Sequence, residues 1–491
     1  MKKVQKIGLL VLLGTGVGGL LANDVSRSFF SVRPFYGHLA FQNTLVEDAH
    51  NDGRALKKTG LQIYGFASGS TNADDLARYF LFNNKTSLVA KDNDTPANLT
   101  EEFAQDVLVG NFNCSFANAD AFTSTISLNP QHTTLGFGFT ARAYFREYFW
   151  GSIDLPIVHV NNDLKLSENI TNNGGGVSII RAIENQPTVG TMKDAFKQLG
   201  MTYGKIDGPR KKTGLGDITL RIGYDGVDWE NLYMTTYIGA VFPTSNKPKA
   251  HYVFEPILGN NGHFGIIFGN RGQFDTCKLF NGRLWLNWSA ESQYLFENTQ
   301  KRSFDLYQNG PWSRYLEMFK NATQRGLGAI TARSFGINIM TQDAKVTPRL
   351  SATIDTSLSY SAEKFHANLG FTTNLRQSEE VDLANAWQTG PMIAAYSGGA
   401  LSSVNPTRTI GTGIGGLDNA ENFFIKQSDI NLGSAAHPAY ISTTIHGTIG
   451  SYCQRDARRP RNYEAGASYE FSQHNASMNR WGVWAKAQVS F

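Results

Sequence analysis

The chain has 491 residues, 41% hydrophobic and only 18% charged, with 12% aromatics, 49 glycines and a formal charge of +4; its mean hydropathy is nevertheless -0.29. A charge so near balance gives no basis for nucleic-acid binding, and three widely spaced cysteines, Cys114, Cys277 and Cys453, form neither a CxxC pair nor a disulfide framework. Low charge without high hydropathy is the profile of a chain whose lipid-facing and water-facing residues alternate and average out.

At the amino end, Lys2, Lys3 and Lys6 precede an apolar run from Ile7 to Ala22, which predicts a secretory signal peptide over residues 1–22, cleaved after Ala22. No later stretch approaches the roughly 18 apolar residues that a membrane helix requires. The remaining domain, 23–491, is expected to cross the membrane with strands or not at all. The first strand signal is "GLQIYGFASG", near Leu61 to Gly69. A hairpin comes next, with Leu135, Phe137, Phe139, Ala141, Ala143 and Phe145 on one arm and Phe149, Gly151, Ile153, Leu155 and Ile157 on the other. The second hairpin sets Ile218, Leu220, Ile222 and Tyr224 against Leu232, Met234, Ile238, Ala240 and Phe242, with Asp225-Gly226 opening the turn. The third runs from "HFGIIFGN" to Leu284, Leu286, Trp288 and Ala290, and the fourth joins Leu350, Ala352, Ile354 and Leu358 to Phe365, Ala367, Leu369 and Phe371. The fifth pairs Ile441, Thr443, Ile445 and Ile449 with Tyr463, Ala465, Ala467, Tyr469 and Phe471. The last strand is "RWGVWAKAQVSF", with Trp481, Val483, Ala485, Ala487, Val489 and Phe491 on its apolar face.

A half-buried strand of a soluble sandwich shows the same alternation of period two. The connections separate the two readings. Short turns near 146–148, 226–231, 272–280, 361–363 and 452–461 alternate with long loops near 69–131, 161–214, 244–261, 297–349 and 377–439. Antiparallel strands crossing a bilayer produce this sorting, with turns in the periplasm and loops outside. Aromatics also gather at strand ends, among them Tyr148, Phe149, Trp150, Tyr224, Trp229 and Trp481, where rings suit the interface. The expected fold class is therefore all-β: a transmembrane antiparallel β-barrel of about 12 strands, with long extracellular loops containing short helices. It would sit in the outer membrane of a Gram-negative-type bacterium, in contact with outer-membrane lipid.

A final strand ending in Phe resembles the insertion signal of bacterial outer-membrane barrels, which implies that Phe491 is read by the barrel-insertion machinery. "TGLGDITLRIGY" followed by "GAVFPTS" resembles segments of the meta-pathway phenol-degradation family of outer-membrane channels, through Gly216, Asp217 and Pro243; Ser245 stands where that family tends to have Gly. The resemblance implies a twelve-stranded transporter for small hydrophobic compounds.

Chemistry in the sequence is sparse. Gly411 to Gly416 fits GxGxxG by letter but lies in a long loop without the strand and helix of a dinucleotide site, so no cofactor is expected. His366 and His446 fall on lumen faces and His159 does not; no HExxH or His-rich cluster suggests a metal. Ser442 and His446 share a face, a spacing that a Ser-rich chain meets by chance, and no enzyme is expected. The candidate lumen-lining residues are Arg142, Asp217, Arg221, Arg283, Glu291, Arg349, Asp355, Arg376 and Lys486. Such interleaved charges either conduct small solutes or form a paired network that satisfies polar groups. The leading function is an outer-membrane channel passing small solutes by passive diffusion, hydrophobic compounds among them. The alternative is a non-conducting surface barrel whose long loops adhere to a partner. Three loop segments carry helical stripes: Asn72 to Phe80, Thr191 to Leu199, and Trp312 to Phe319. Trp312, Tyr315, Leu316 and Phe319 either pack in a cap over the barrel mouth or fold into the lumen as a constriction.

Overall fold

Every long strand has one apolar and one polar face, and a closed ring in a bilayer gives both a home without leaving an unpaired edge. A computed structural model of the chain describes residues 26–39, 59–91, 106–114, 122–173, 183, 186–229, 231–319, 333–362, 364–388, 392–393, 409–410, 425–453, 461–472 and 475–490. The signal peptide, Gly411 to Gly416 and Phe491 lie outside them, as does the side chain of Phe319. Twelve long antiparallel strands form the ring: β1 (Gly60–Ser70), β2 (Gln131–Arg146), β3 (Phe149–Asp163), β4 (Ile218–Trp229), β5 (Leu232–Phe242), β6 (Gly265–Leu279), β7 (Gly282–Leu295), β8 (Arg349–Ser361), β9 (Phe365–Arg376), β10 (Tyr440–Cys453), β11 (Arg461–Ser472) and β12 (Arg480–Ser490). Closure is by β1, which pairs with β2 on one side and with β12 on the other, Gly60 opposite Ser490 and Ser70 opposite Arg480.

The wall is continuous except at one place. A short strand, Arg210–Leu215, pairs with the upper half of β3, and β4 pairs with the lower half. Gly216 and Asp217 lie between them and belong to neither strand. The Asp225-Gly226 pair is not the turn of its hairpin. β4 runs on to Trp229, and the register shifts by one at Met234/Thr235, leaving Gly226 as the extra residue of a bulge. Asp225 lies before the bulge, in phase with the inward Thr219, Arg221 and Gly223, and is buried.

Leu61, Ile63, Phe137, Ile238, Phe268, Leu369, Ile445 and Val483 are all exposed on the outer face. No soluble protein leaves so continuous a band in water, and lipid is the solvent that accepts it. Rings border the band at both rims. Phe149 and Tyr224 lie 5.0 Å apart at the short-turn end, and Phe242, Phe264 and Phe296 form a chain at the other, with centroids 5.7 and 5.8 Å apart. No helix among the described residues is long and apolar enough to cross a membrane.

The long loops gather at one end into a cap with its own apolar core, containing Leu76, Phe80, Phe112, Phe196, Trp312, Leu316 and Met340 among others. Two of the expected helices form, α1 (Ala73–Phe80) and the single turn α2 (Met192–Ala195), the latter capped by Thr191, whose hydroxyl accepts the Asp194 N–H. The third does not. Trp312 takes a left-handed backbone, a 3-10 turn covers Ser313–Tyr315, and the chain then extends through Glu317–Phe319. Side chains explain the break: Ser313 Oγ accepts the Leu306 N–H at 2.7 Å and Asp305 accepts the Arg314 N–H at 3.0 Å, bonds that compete with a helix.

Candidate functional site: a lumen threaded by the N-terminal segment

The first described residues enter the lumen from the cap. Ser26 Oγ donates to the Phe80 carbonyl at 2.8 Å, the Tyr79 hydroxyl to the Phe29 carbonyl at 2.7 Å, and the Arg302 guanidinium stacks 3.2 Å over the Phe29 ring. Ser31 Oγ then accepts from Asn261 and from Arg376, both at 2.8 Å, at the lip of the barrel. Below the lip, Arg33 reaches Glu470 at 2.9 Å, while Arg480 holds the same carboxylate at 2.6 Å and donates to the Arg33 carbonyl at 2.8 Å. Phe35 packs on Phe66 at 5.7 Å, and His38 sits among His446 and Trp484 at 5.6 and 6.0 Å. Pro34 lacks an N–H and starts a 3-10 turn, Phe35–Gly37, so the segment crosses the bore without a strand partner.

Small residues in the wall make room for this segment and for inward rings. A side chain at Gly482 would overlap the Phe35 ring, one at Gly216 the Tyr36 ring, and one at Gly138 the Tyr64 ring. Tyr36 is placed at the interruption of the wall. Its hydroxyl accepts the Asp217 N–H at 2.9 Å, while the Asp217 carboxylate takes the N–H groups of Ser245 and Asn260 at 3.1 and 2.5 Å. The matched "GLGD" and "PTS" stretches thus meet at one clasp, where Ser245 contributes its backbone.

All nine candidate lumen residues have a partner. Arg221 pairs with Glu291 at 3.1 Å, and Glu291 also accepts from Tyr237 at 2.9 Å. Asp355 accepts from His446 and Thr372, both at 2.7 Å, and Lys486 pairs with Glu464 at 2.9 Å. Arg142 lies 4.0 Å over Trp150 and 3.8 Å from Asp225. Arg283 pairs with Asp275 near the short-turn end, at 3.0 Å. Arg376 pairs with Glu379 at 3.0 Å, and Arg349 with Glu380 at 2.7 Å on the exposed outer lip. Residues 33–37 stand in the bore among these side chains, with a cavity between segment and wall.

Trp312, Tyr315 and Leu316 lie in the cap core instead of the lumen; the Trp312 ring packs 5.6 Å from Phe82 and 5.8 Å from Phe196. Ser442 donates to Glu470 at 2.6 Å and His446 engages Asp355, so the two turn to different carboxylates. His159 faces away from the lumen and contacts Thr213 at 2.7 Å.

Several lumen residues escaped the sequence reading. Asp154 accepts from Tyr64 at 3.0 Å and Thr140 at 2.8 Å; Asp225 accepts from Tyr144 and Tyr233, both at 2.8 Å, and from Trp150 at 3.1 Å. Extending the alternation finds Asp154 on β3 and Arg480 on β12. No periodic signal marks Arg33, Phe35, Tyr36 and His38.

Outside the membrane, the cap holds two ion pairs with almost no exposure, Arg302 with Glu379 at 3.2 Å and Arg314 with Asp305 at 2.6 Å. Burial pushes the Glu379 carboxyl up, but the adjacent Arg302 and Arg376 outweigh it and hold the group below its ordinary value. Burial also drives His437 down to about 3. Its Nδ1 contacts the Pro438 carbonyl at 2.9 Å, and its backbone N–H donates to Glu379 at 3.1 Å.

Neither a family model nor a curated protein matches the sequence. Among solved structures, the chain is similar to an outer-membrane channel from Pseudomonas putida F1, at 8% identity and a TM-score of 0.38, over 88% of this chain and 96% of that one. It is also similar to the TodX monoaromatic hydrocarbon channel, in a deltaS2 mutant, at 9% identity and a TM-score of 0.34, over 96% of each chain. A FadL homologue from Pseudomonas aeruginosa gives 8% identity and a TM-score of 0.28, over 95% and 99%. The ring of twelve strands, the apolar band and the aromatic rims make this chain an outer-membrane-type β-barrel.

Proposed function

We propose that the protein is an outer-membrane channel passing small solutes by passive diffusion, with residues 33–38 as the resident obstruction of its bore. The observation that carries this reading is that a separate segment of chain stands in the bore with a cavity beside it, and not the side chains of the wall alone. Much of what holds the segment is also replaceable. When Arg33 leaves, Glu470 keeps Arg480, so no carboxylate is stranded without a cation. The signal peptide, the insertion machinery acting through Phe491 and the outer membrane of a Gram-negative-type cell complete the proposal.

The test is reconstitution of the refolded full chain into planar bilayers and liposomes. Discrete conductance steps together with swelling in isosmotic solute are expected. Silence in both, from protein whose barrel is shown folded by heat-modifiable migration, refutes the channel. That result would favour the surface barrel, for which the separate apolar core of the cap is the supporting observation.

A further inference from the structure

Where the short strand Arg210–Leu215 pairs with the upper half of β3, a basic patch stands on the outer side of the barrel, directly above the lipid-facing band. We propose that this patch binds a phosphorylated headgroup of the surrounding lipid, whose acyl chains lie on the wall beneath it. The site belongs to the outer surface of the barrel and holds whether or not the bore conducts.

Phase and height place the first lysine. Leu215 is opposite Ile157, Thr213 opposite His159 and Lys211 opposite Asn161. Leu215 is exposed in the apolar band, and Thr213 meets His159 at 2.7 Å on the same face; Lys211, in phase with both, points outward as well. The top of the band is close by, since Ile218 faces Phe242 of the upper aromatic rim. From Leu215 to Lys211 is about 13 Å along the strand, and about 10 Å in height at a tilt of 35–45°. The headgroup layer beyond the hydrocarbon is roughly 5–8 Å deep, and a lysine stem can lean down into it. Its ammonium group therefore arrives at the level of the lipid phosphates.

Further charge is gathered by the neighbouring loop. Residues 204–212 are stitched to residues 249–255, with the Val253 N–H donating to the Lys205 carbonyl at 3.1 Å and the Arg210 guanidinium 3.9 Å over the Tyr252 ring. Together these stretches carry Lys205, Arg210, Lys211, Lys212 and Lys249 against Asp207 and Glu255. Asp207 is taken by Arg210, and the Glu255 carboxylate by the N–H groups of Lys249, Ala250 and His251 at 2.7, 3.1 and 3.0 Å. None of the four lysines makes an ion pair among the described residues, and Lys211, Lys212 and Lys249 are exposed. Elsewhere in the loops, by contrast, Lys301 is answered by Asp343 at 3.1 Å and Arg349 by Glu380 at 2.7 Å.

Continuity with the band selects lipid as the occupant, because the face bearing Lys211 runs on through Thr213 to Leu215 and Ile157, where only acyl chains lie. Charge selects the headgroup. A phosphate monoester brings nearly two negative charges and three acceptor oxygens at pH 7, which several ammonium groups can share. A zwitterionic headgroup brings its own cation and gains little.

The experiment is native mass spectrometry of the refolded full chain in a neutral detergent, titrated with dioleoyl phosphatidic acid and, in parallel, dioleoyl phosphatidylcholine. Tighter binding of phosphatidic acid is expected, weakened by salt and not displaced by glycerol 3-phosphate, the same headgroup without chains. In the double variant Lys211→Gln with Lys212→Gln, affinity for phosphatidic acid should fall roughly thirtyfold, about fivefold for each lysine at an anionic surface. Lys301→Gln, whose lysine is already paired, should leave it unchanged. Equal affinity for the two lipids, full displacement by glycerol 3-phosphate, an unchanged affinity in the folded double variant, or an equal loss in Lys301→Gln overturns the site. Heat-modifiable migration shows which variants fold; should the double variant misfold, Lys249→Gln takes its place, with a loss of about fivefold expected and no loss overturning the site.

Discussion

Gly482→Ala tests the obstruction with one methyl group. Gly482 faces the lumen from β12, and a Cβ there would overlap the end of the Phe35 ring. That ring is 3% exposed, 5.7 Å from Phe66, with the Arg480 guanidinium 5.3 Å from its centroid. Expelling it gives up the burial of a Phe side chain, about 1.5–3 kcal/mol, and a cation–π contact of about 0.5–1 kcal/mol. The strand pairing of residue 482, with Ser468 and Ser68, is the same whether the segment is seated or displaced. Whatever alanine does for the strand therefore cancels. The balance between seated and displaced segment should move by about 2–4 kcal/mol, a factor of roughly 30 to 1,000. Single-channel recording reads this directly, as a larger fraction of time at the higher conductance level. A folded Gly482→Ala barrel with the wild-type record would refute the reasoning, because the ring would then have a second seat or the segment would not govern the bore.

Leu369→Arg, on the lipid face of β9 where Leu369 is 67% exposed, should cost about 2–4 kcal/mol if it stands near the bilayer midplane, measured by denaturant titration of folding into vesicles; a negligible cost would mean the outer face is not in lipid. Arg302→Met should loosen the cap by less than the ~3–5 kcal/mol of a fully stranded buried charge, because Glu379 keeps Arg376, read from protease resistance of the loops. Acid should loosen the cap through His437. Its folded pKa, about 3, lies below the ordinary value near 6.5, so the loosened cap binds the extra proton. The stabilisation is complete above pH ~6.5 and is lost as pH falls towards ~3, by about 4–5 kcal/mol over that range. Proteolysis against pH should show the decline, and His437→Gln should flatten it.

The barrel was legible because period two survives in every strand whatever its partner. Leu286, Leu369 and Val483 point to lipid, and Arg221, Glu291 and Lys486 to the lumen, by position alone. What alternation cannot carry is structure held only by tertiary contacts. Arg33 to His38 have no strand partner, and their place is set by Glu470, Gly482 and His446, more than 400 residues away in sequence. The Asp225-Gly226 pair has the local chemistry of a hairpin turn, but β4 and β5 extend past it, and Tyr144, Trp150 and Tyr233 use the carboxylate as an inward acceptor. The stripe Trp312, Tyr315, Leu316 correctly marked residues needing burial, while Asp305 and Ser313 decided that the backbone bearing them would not be helical.

The path of the N-terminal segment makes the molecule a bead on its own string. Residues 26–31 are knotted into the cap at one mouth, and β1 begins at the other, with Gly60 opposite Ser490. The string cannot leave inward without drawing Ser26 and Phe29 out of the cap and down the bore.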